Sequence, residues 1–180
     1  MKILYSMKIL ITGCNGFIGN NFLKLASREF GIENLHALSS SKNFACHTTI
    51  YCGIDQLDEI KSDSFLNTEI LIHAGAYIPK SHADPDELIK CNENIIFTNS
   101  LLSKKFPNLK RIIYLSTVDV YKVDEIIDET SITDPTSLYG WSKLYCEKIV
   151  ENYCKRNDIS YSILRLGHVY GPGEEKFKKF

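Results

Sequence analysis

"KILITGCNGFIGNNF", residues 8–22, sets an apolar run of strand length directly against three glycines, Gly13, Gly16 and Gly19, and then a helical pattern that continues from Phe17 to Phe30. A strand, a glycine turn and a helix in that order form a context in which each glycine has a physical use. One permits the tight turn, one lets the backbone approach a pyrophosphate, and one lets the helix pack closely on the strand. The unpaired amides at the helix start favour a phosphate there. Gly13, Asn15, Gly16, Phe17, Ile18 and Gly19 are therefore candidate contacts for a dinucleotide. The competing reading is a glycine-rich turn that holds no ligand.

Working outward, short apolar runs alternate with amphipathic segments. "LHAL" (35–38), a thin segment near Tyr51, "EILIHAG" (69–75), "RIIYLST" (111–117) and "YSILRLG" (161–167) read as further strands. Helical patterns run from about Pro85 to Lys105 and from Ser137 to Asn157. Strands that are apolar throughout, separated by helices, predict a parallel sheet covered on both faces. The fold expected is α/β, a doubly wound parallel sheet of Rossmann type, with residues 1–180 as one dinucleotide-binding domain. "YKVDEIIDETSITDPTS" (121–137) is the long irregular segment, and the repeated "MKIL" suggests that Met7 is the natural start, with residues 1–6 a frayed extension.

Composition narrows the class. The 180 residues are 44% hydrophobic with a formal net charge of −1, which suits a globular core and gives no electrostatic reason for a nucleic-acid or membrane partner. The start is too short and too broken for a signal peptide or membrane span. Six cysteines, at 14, 46, 52, 91, 146 and 154, form no C-x-x-C pair, so neither a metal site nor a disulfide framework is indicated. They read as reduced thiols in a cytoplasmic protein.

"SLYGWSKLYC" (137–146) places Tyr139 and Lys143 one helical turn apart, where both project from one face and can act on one small volume. Such pairs also occur idle on solvated surfaces, so the pair gains meaning from its companions. "TGCNGFIG" (12–19), "IHAGA" (72–76), "LSTVDVY" (115–121), the Tyr139/Lys143 pair and "LRLGHVYGPG" (164–173) follow one another in that order. With these motifs the sequence resembles the extended short-chain dehydrogenases/reductases, within them the NAD(P)-dependent epimerase/dehydratase family acting on nucleotide sugars, over nearly the whole chain.

The resemblance implies roles. Tyr139 would be the acid/base that exchanges a proton with a sugar hydroxyl during hydride transfer. A free tyrosine titrates near 10, too high for a neutral-pH base, and Lys143 would supply the positive charge that favours the phenolate. Thr117 would hydrogen-bond the substrate oxygen, with Ser116 a structural or cofactor contact. Ala74, Gly75 and Ala76 would lie beside the cofactor; Asn94, with Asn92 as the competing choice, would help close its site; and Asp55, within one residue of register, would face adenine. His73 reads as structural. After the second strand stand Ser39, Ser40, Ser41 and Lys42 where an acidic residue would favour NAD, so the cofactor expected is NAD or NADP with a slight lean to NADP.

Departures from the family pattern direct the choice of reaction. Dehydratases carry an Asp-Glu pair after the threonine, whereas this chain has Val118 and Asp119, so epimerisation or keto-sugar reduction is expected over 4,6-dehydration. Lys122 replaces a glycine, and His168 replaces an asparagine that contacts substrate. The chain also stops just after "YGPG", where family members continue into a substrate-binding region, so that region is expected to be largely absent and the fragment's activity is in question. The resemblance implies a nucleotide-sugar substrate and pairing as a homodimer through the tyrosine-bearing helix and the long helix before it. The rival classes are a non-catalytic NAD(P)-binding module and a structural interaction protein.

Overall fold

The computed structural model of the chain describes residues 7–39, 48–51, 57, 60, 63–80, 84–122 and 126–171. Lys42, Asp55 and residues 1–6 lie outside these. Strands β1 (Ile9–Thr12), β2 (Leu35–Ser39), β3 (Thr48–Tyr51), β4 (Ile70–His73), β5 (Arg111–Thr117) and β6 (Ser160–Leu166) form one sheet in the order β3-β2-β1-β4-β5-β6. Every pairing is parallel. Helices α1 (Phe17–Phe30), α2 (Asp63–Leu66), α3 (Pro85–Ile89), α4 (Asn92–Leu102) and α5 (Leu138–Asn157) supply the described helical layers.

The continuous apolarity of β1 has a direct cause. Ile9 and Ile11 pack with Leu23 and Ala26 of α1, while Leu10 between them packs with Leu101 of α4 and Cys146 and Val150 of α5. Successive side chains point to opposite faces, and each face has its own helices, so no position in the strand can be polar without a partner. The doubly wound Rossmann-type sheet expected from the sequence is the fold observed.

One helical and one strand boundary differ from the sequence reading. The stretch from Pro85 divides at Lys90–Cys91, where the amides of Cys91, Glu93 and Asn94 bond to carbonyls three residues back and tighten the turn. β4 ends at His73, short of Gly75, because the Gly75 amide turns away to donate to Thr12 Oγ1 at 3.0 Å.

The sheet order reverses direction between β1 and β4, and the C-terminal ends of those two strands, paired Thr12↔His73, open a crevice. β5 runs on past its last β4 partner, Tyr114↔His73, and stays paired only with β6 as far as Thr117↔Leu166. Leu115, Ser116 and Thr117 therefore project beyond the crevice floor. No helix among the described residues is long and apolar enough to cross a membrane.

Candidate active site

The glycine turn is a cradle made of backbone. Gly13 sits at φ +72, and a Cβ there would lie 2.5 Å from the Gly75 nitrogen and 2.6 Å from the Ala74 carbonyl carbon. A Cβ on Gly19 would lie 2.3 Å from the Gly13 oxygen. Side chains at these two points would push apart the β1 and β4 loops and lift α1 off the strand. The Gly16 amide donates to the Gly13 oxygen at 3.0 Å and closes the turn. Gly16 then caps α1 with no side-chain hydrogen bond and no acidic residue in the first turn, while Asn15 and Gly16 are exposed. The helix thus presents its positive end to the crevice without an internal anion to occupy it. Ser39 at the end of β2 is buried and donates to Asn15 Oδ1 at 3.2 Å.

Beside the cradle runs a buried relay of hydrogen bonds. Because the Gly75 amide donates to Thr12 Oγ1, the Thr12 hydroxyl is left to donate to His73 Nδ1 at 2.8 Å. Nε2 then carries the proton and donates to Thr98 Oγ1 at 3.0 Å, and Thr98 donates onward to the Asn94 carbonyl at 2.8 Å. Burial, with the Lys143 charge adding to it, pulls the imidazole down to about 3, so His73 is a neutral strut. Asn94 is buried as well. Its Oδ1 accepts from the Tyr77 amide at 2.6 Å, and its Nδ2 donates to the Tyr77 carbonyl and to Ser142 Oγ. It fixes the loop after β4 to α5.

The reactive corner lies where α5 meets the end of β5. Ser137 caps α5 by accepting from the Gly140 amide at 2.9 Å. A Cβ on Gly140 would fall 2.3 Å from the Asp119 oxygen, so glycine is what lets the helix start press against the 3-10 turn Val118–Val120. That contact brings half-buried Tyr139 near Asp119, whose amide donates to Thr117 Oγ1 at 3.2 Å. Thr98, Asn94 and Ser142 continue the polar seam, and Ser142 donates to the Tyr139 carbonyl at 2.8 Å.

Lys143 reaches from α5 to β5. Its ammonium is buried and donates to the Leu115 carbonyl at 2.7 Å, 4.3 Å above the centre of the Tyr114 ring. The Leu115 carbonyl lies just past the last β4 pairing and takes the ammonium. Tyr139 makes no hydrogen bond through its phenol among the described residues. Burial, then the Asp119 carboxylate and Cys91, push it up to about 12, so the phenolate is not favoured here. Burial also draws Lys143 down to about 8, against the opposing influence of Cys146 and Glu147. In this arrangement the phenol is a proton donor at neutral pH.

Ser116 joins β5 to α5. It is buried and donates to Glu147 Oε1 at 2.5 Å, while Arg165 of β6 grips Glu147 with Nε at 3.0 Å and Nη2 at 2.7 Å and lies 4.7 Å from the Tyr121 ring. Ala74 and Gly75 line the cradle, Ala76 is exposed beside it, and His168 is exposed in the chain after β6. Sequence reasoning missed Ser137, Gly140, Ser142, Glu147 and Arg165. A charged residue at Glu147 on the apolar stripe Lys143, Val150, Cys154 was the available signal for the last pair.

Comparison with known proteins agrees with this geometry. The family model described as NAD dependent epimerase/dehydratase matches residues 9–180. A dTDP-D-glucose 4,6-dehydratase of Dictyostelium discoideum is 29% identical, covering 94% of this chain and 45% of its own length. An ADP-L-glycero-D-manno-heptose-6-epimerase of Cupriavidus pinatubonensis is 28% identical over 93% of this chain and 53% of its own. The structure of MoeE5 in complex with UDP-glucose and NAD superposes with a TM-score of 0.76 at 25% identity, covering 93% of this chain and 56% of that one. The chain thus spans about half the length of the relatives it matches. With a family match over nearly its whole length and the fold to support it, the chain belongs to the NAD-dependent epimerase/dehydratase family.

Proposed function

We propose that this chain is the cofactor-binding and proton-transfer portion, residues 1–180, of a nucleotide-sugar 4-epimerase or keto-sugar reductase. The observation that carries the reading is the junction of a backbone cradle with Thr117, Tyr139 and Lys143 at the C-terminal edge of one sheet. A nicotinamide dinucleotide fits the residues present: the space a Cβ would fill at Gly13 and Gly19 is closed to side chains, and α1 begins without an internal anion. Gly13, Asn15, Gly16, Phe17, Ile18 and Gly19 would hold its diphosphate, with Ala74, Gly75 and Ala76 along its flank. When bound, the dinucleotide supplies the hydride donor or acceptor.

This chain's residues do the rest. Thr117 holds the reacting oxygen of the sugar, and Tyr139 gives or takes its proton. A phenol that holds its proton to about 12 is in the state required for the reductive direction, in which it protonates a carbonyl oxygen. The oxidative direction requires the phenolate, and therefore a stronger positive field from Lys143 than the Leu115 contact provides. Val118, half-buried against Val120, Tyr121 and Leu144, has no proton to exchange, which supports single-carbon oxidoreduction over dehydration.

NAD is the better reading of the cofactor. The lean to NADP rested on Ser39, Ser40, Ser41 and Lys42, of which Ser39 engages Asn15 and the other three lie outside the described residues. His168 remains a candidate substrate contact. Buried free thiols at Cys14, Cys91, Cys146 and Cys154 support a reducing, cytoplasmic setting. A homodimer through α4 and α5 is supported by exposed Ile96, Leu138, Trp141 and Tyr145. The alternative reading is a cofactor-binding module without turnover, and the engagement of the Lys143 ammonium by the Leu115 carbonyl favours it. Fluorescence titration with NADH and NADPH, followed by incubation with a panel of nucleotide sugars, tests these readings. Binding with epimerised or reduced product supports the enzyme; binding without turnover supports the module; a 4-keto-6-deoxy product overturns the choice of reaction.

A further inference from the structure

Glu147 is a carboxylate almost wholly removed from water, at 1% exposure, four residues after Lys143 at 2%. An i, i+4 spacing puts both on one stripe of α5. The two residues grip consecutive positions of β5, Lys143 through the Leu115 carbonyl at 2.7 Å and Glu147 through the Ser116 hydroxyl at 2.5 Å. The next residue on that strand is Thr117. Arg165 of β6 completes a fork on the carboxylate, so Glu147 ties three elements together at the end of the sheet that carries the proposed reaction. A buried ion pair of this kind is weak evidence for stability alone, because removing two charges from water offsets most of their attraction.

We propose that Glu147 is a positioning residue for the reactive corner: it locks α5 to β5 through Ser116 and, one turn from Lys143, supplies the negative charge that keeps that buried ammonium protonated and in place. The inference rests on the functional reading above for its purpose, not for its physics. Around the ammonium lie His73 from β4, neutral, Tyr114 from β5 and Cys146 and Glu147 from α5 itself. Asp119 from the 3-10 turn acts on Tyr139, α4 contributes the uncharged Asn94 and Thr98, and Arg165 stands across Glu147. Glu147 is thus a buried carboxylate on the lysine's own stripe of α5, and with Cys146 it opposes the effect of burial on the ammonium.

The test separates charge from clamp. Lys143 is followed by NMR of side-chain-labelled lysine across pH in the wild-type chain, in Glu147→Gln, which keeps an acceptor for Ser116, and in Ser116→Ala, which keeps the charge. The proposal expects the Lys143 midpoint to fall by about one pH unit in Glu147→Gln and to stay at its wild-type value in Ser116→Ala. NADH affinity should fall about tenfold in Glu147→Gln, as expected when a charged contact is weakened. An unchanged Lys143 midpoint in Glu147→Gln overturns the proposal and leaves the residue purely structural. Should that variant fail to fold, Arg165→Met is compared with Arg165→Met plus Glu147→Met, so that only the carboxylate differs; a lower Lys143 midpoint in the double variant is expected, and equal midpoints overturn the proposal. A wild-type chain that binds neither dinucleotide overturns the functional reading, while the titration comparison still decides this one.

Discussion

The cradle and the reactive corner sit at the same edge of the same sheet and are built on opposite principles. The cradle is backbone against backbone: Gly13 at φ +72, the Gly75 and Ala74 main chain within 2.7 Å of any Cβ it could carry, and Gly19 against the Gly13 oxygen. The corner is side chain against side chain, with Lys143 on Leu115, Ser116 on Glu147, and Asn94 on Ser142. A backbone device tolerates no substitution that adds an atom. A side-chain device can lose its chemistry and keep its fold, and this contrast says where each mutation should be felt.

The largest expected effect is on the cradle. Gly13→Val adds a branched side chain at a left-handed backbone position already within 2.5 Å of Gly75, so both fold and ligand site suffer. Denaturant unfolding should show a loss of about 4 kcal/mol, and NADH binding should weaken by more than about a hundredfold. Near-normal stability would mean that the turn is soft and that the contrast with the corner is false.

Tyr139→Phe should do the reverse. It removes one hydroxyl that makes no hydrogen bond among the described residues, so stability should change by less than about 1 kcal/mol while turnover of any accepted nucleotide sugar falls on the order of a thousandfold. NADH affinity should remain. Steady-state kinetics beside thermal melts measures both, and unchanged turnover would remove Tyr139 from its proposed role.

The relay that joins the two regions should show itself in pH. His73 is held down to about 3 in the folded chain, against about 6.5 for a free imidazole. Above the unfolded value both states are neutral and nothing is lost. As pH falls through 6.5 the unfolded state takes up a proton that the folded state refuses, so stability declines by about 2 kcal/mol by pH 5 from this group. Urea titrations between pH 7.5 and 5 should show the slope in wild type and its absence in His73→Gln. The smallest effect is local: Ser137→Ala removes the α5 cap at a cost of about 1 kcal/mol, read as a small drop in melting midpoint.

The cradle was the legible half. Glycine spacing reports backbone constraints directly, and the boundaries of α1 and β5 follow from the helical pattern of the one and the apolar run of the other. The corner was legible only in its cast. Thr117, Tyr139 and Lys143 could be named, but the hold of Lys143 on Leu115 could not, because a carbonyl past the last β4 pairing is a tertiary fact with no local signature. Asn94 and Ser142 are 48 residues apart, and Glu147 and Arg165 are 18 apart on different elements. Ser137 was within reach of sequence reasoning, since a serine immediately ahead of a helical pattern is a cap signal.

A crystal structure of the chain with NADH bound tests the central claim most directly, because that claim is that one sheet edge brings a diphosphate cradle and a proton donor to the same nicotinamide. The account predicts the diphosphate over the amides at the start of α1 and the nicotinamide ring against Tyr139 and Lys143. A dinucleotide seated elsewhere, or a nicotinamide directed away from the Tyr139 phenol, would contradict it.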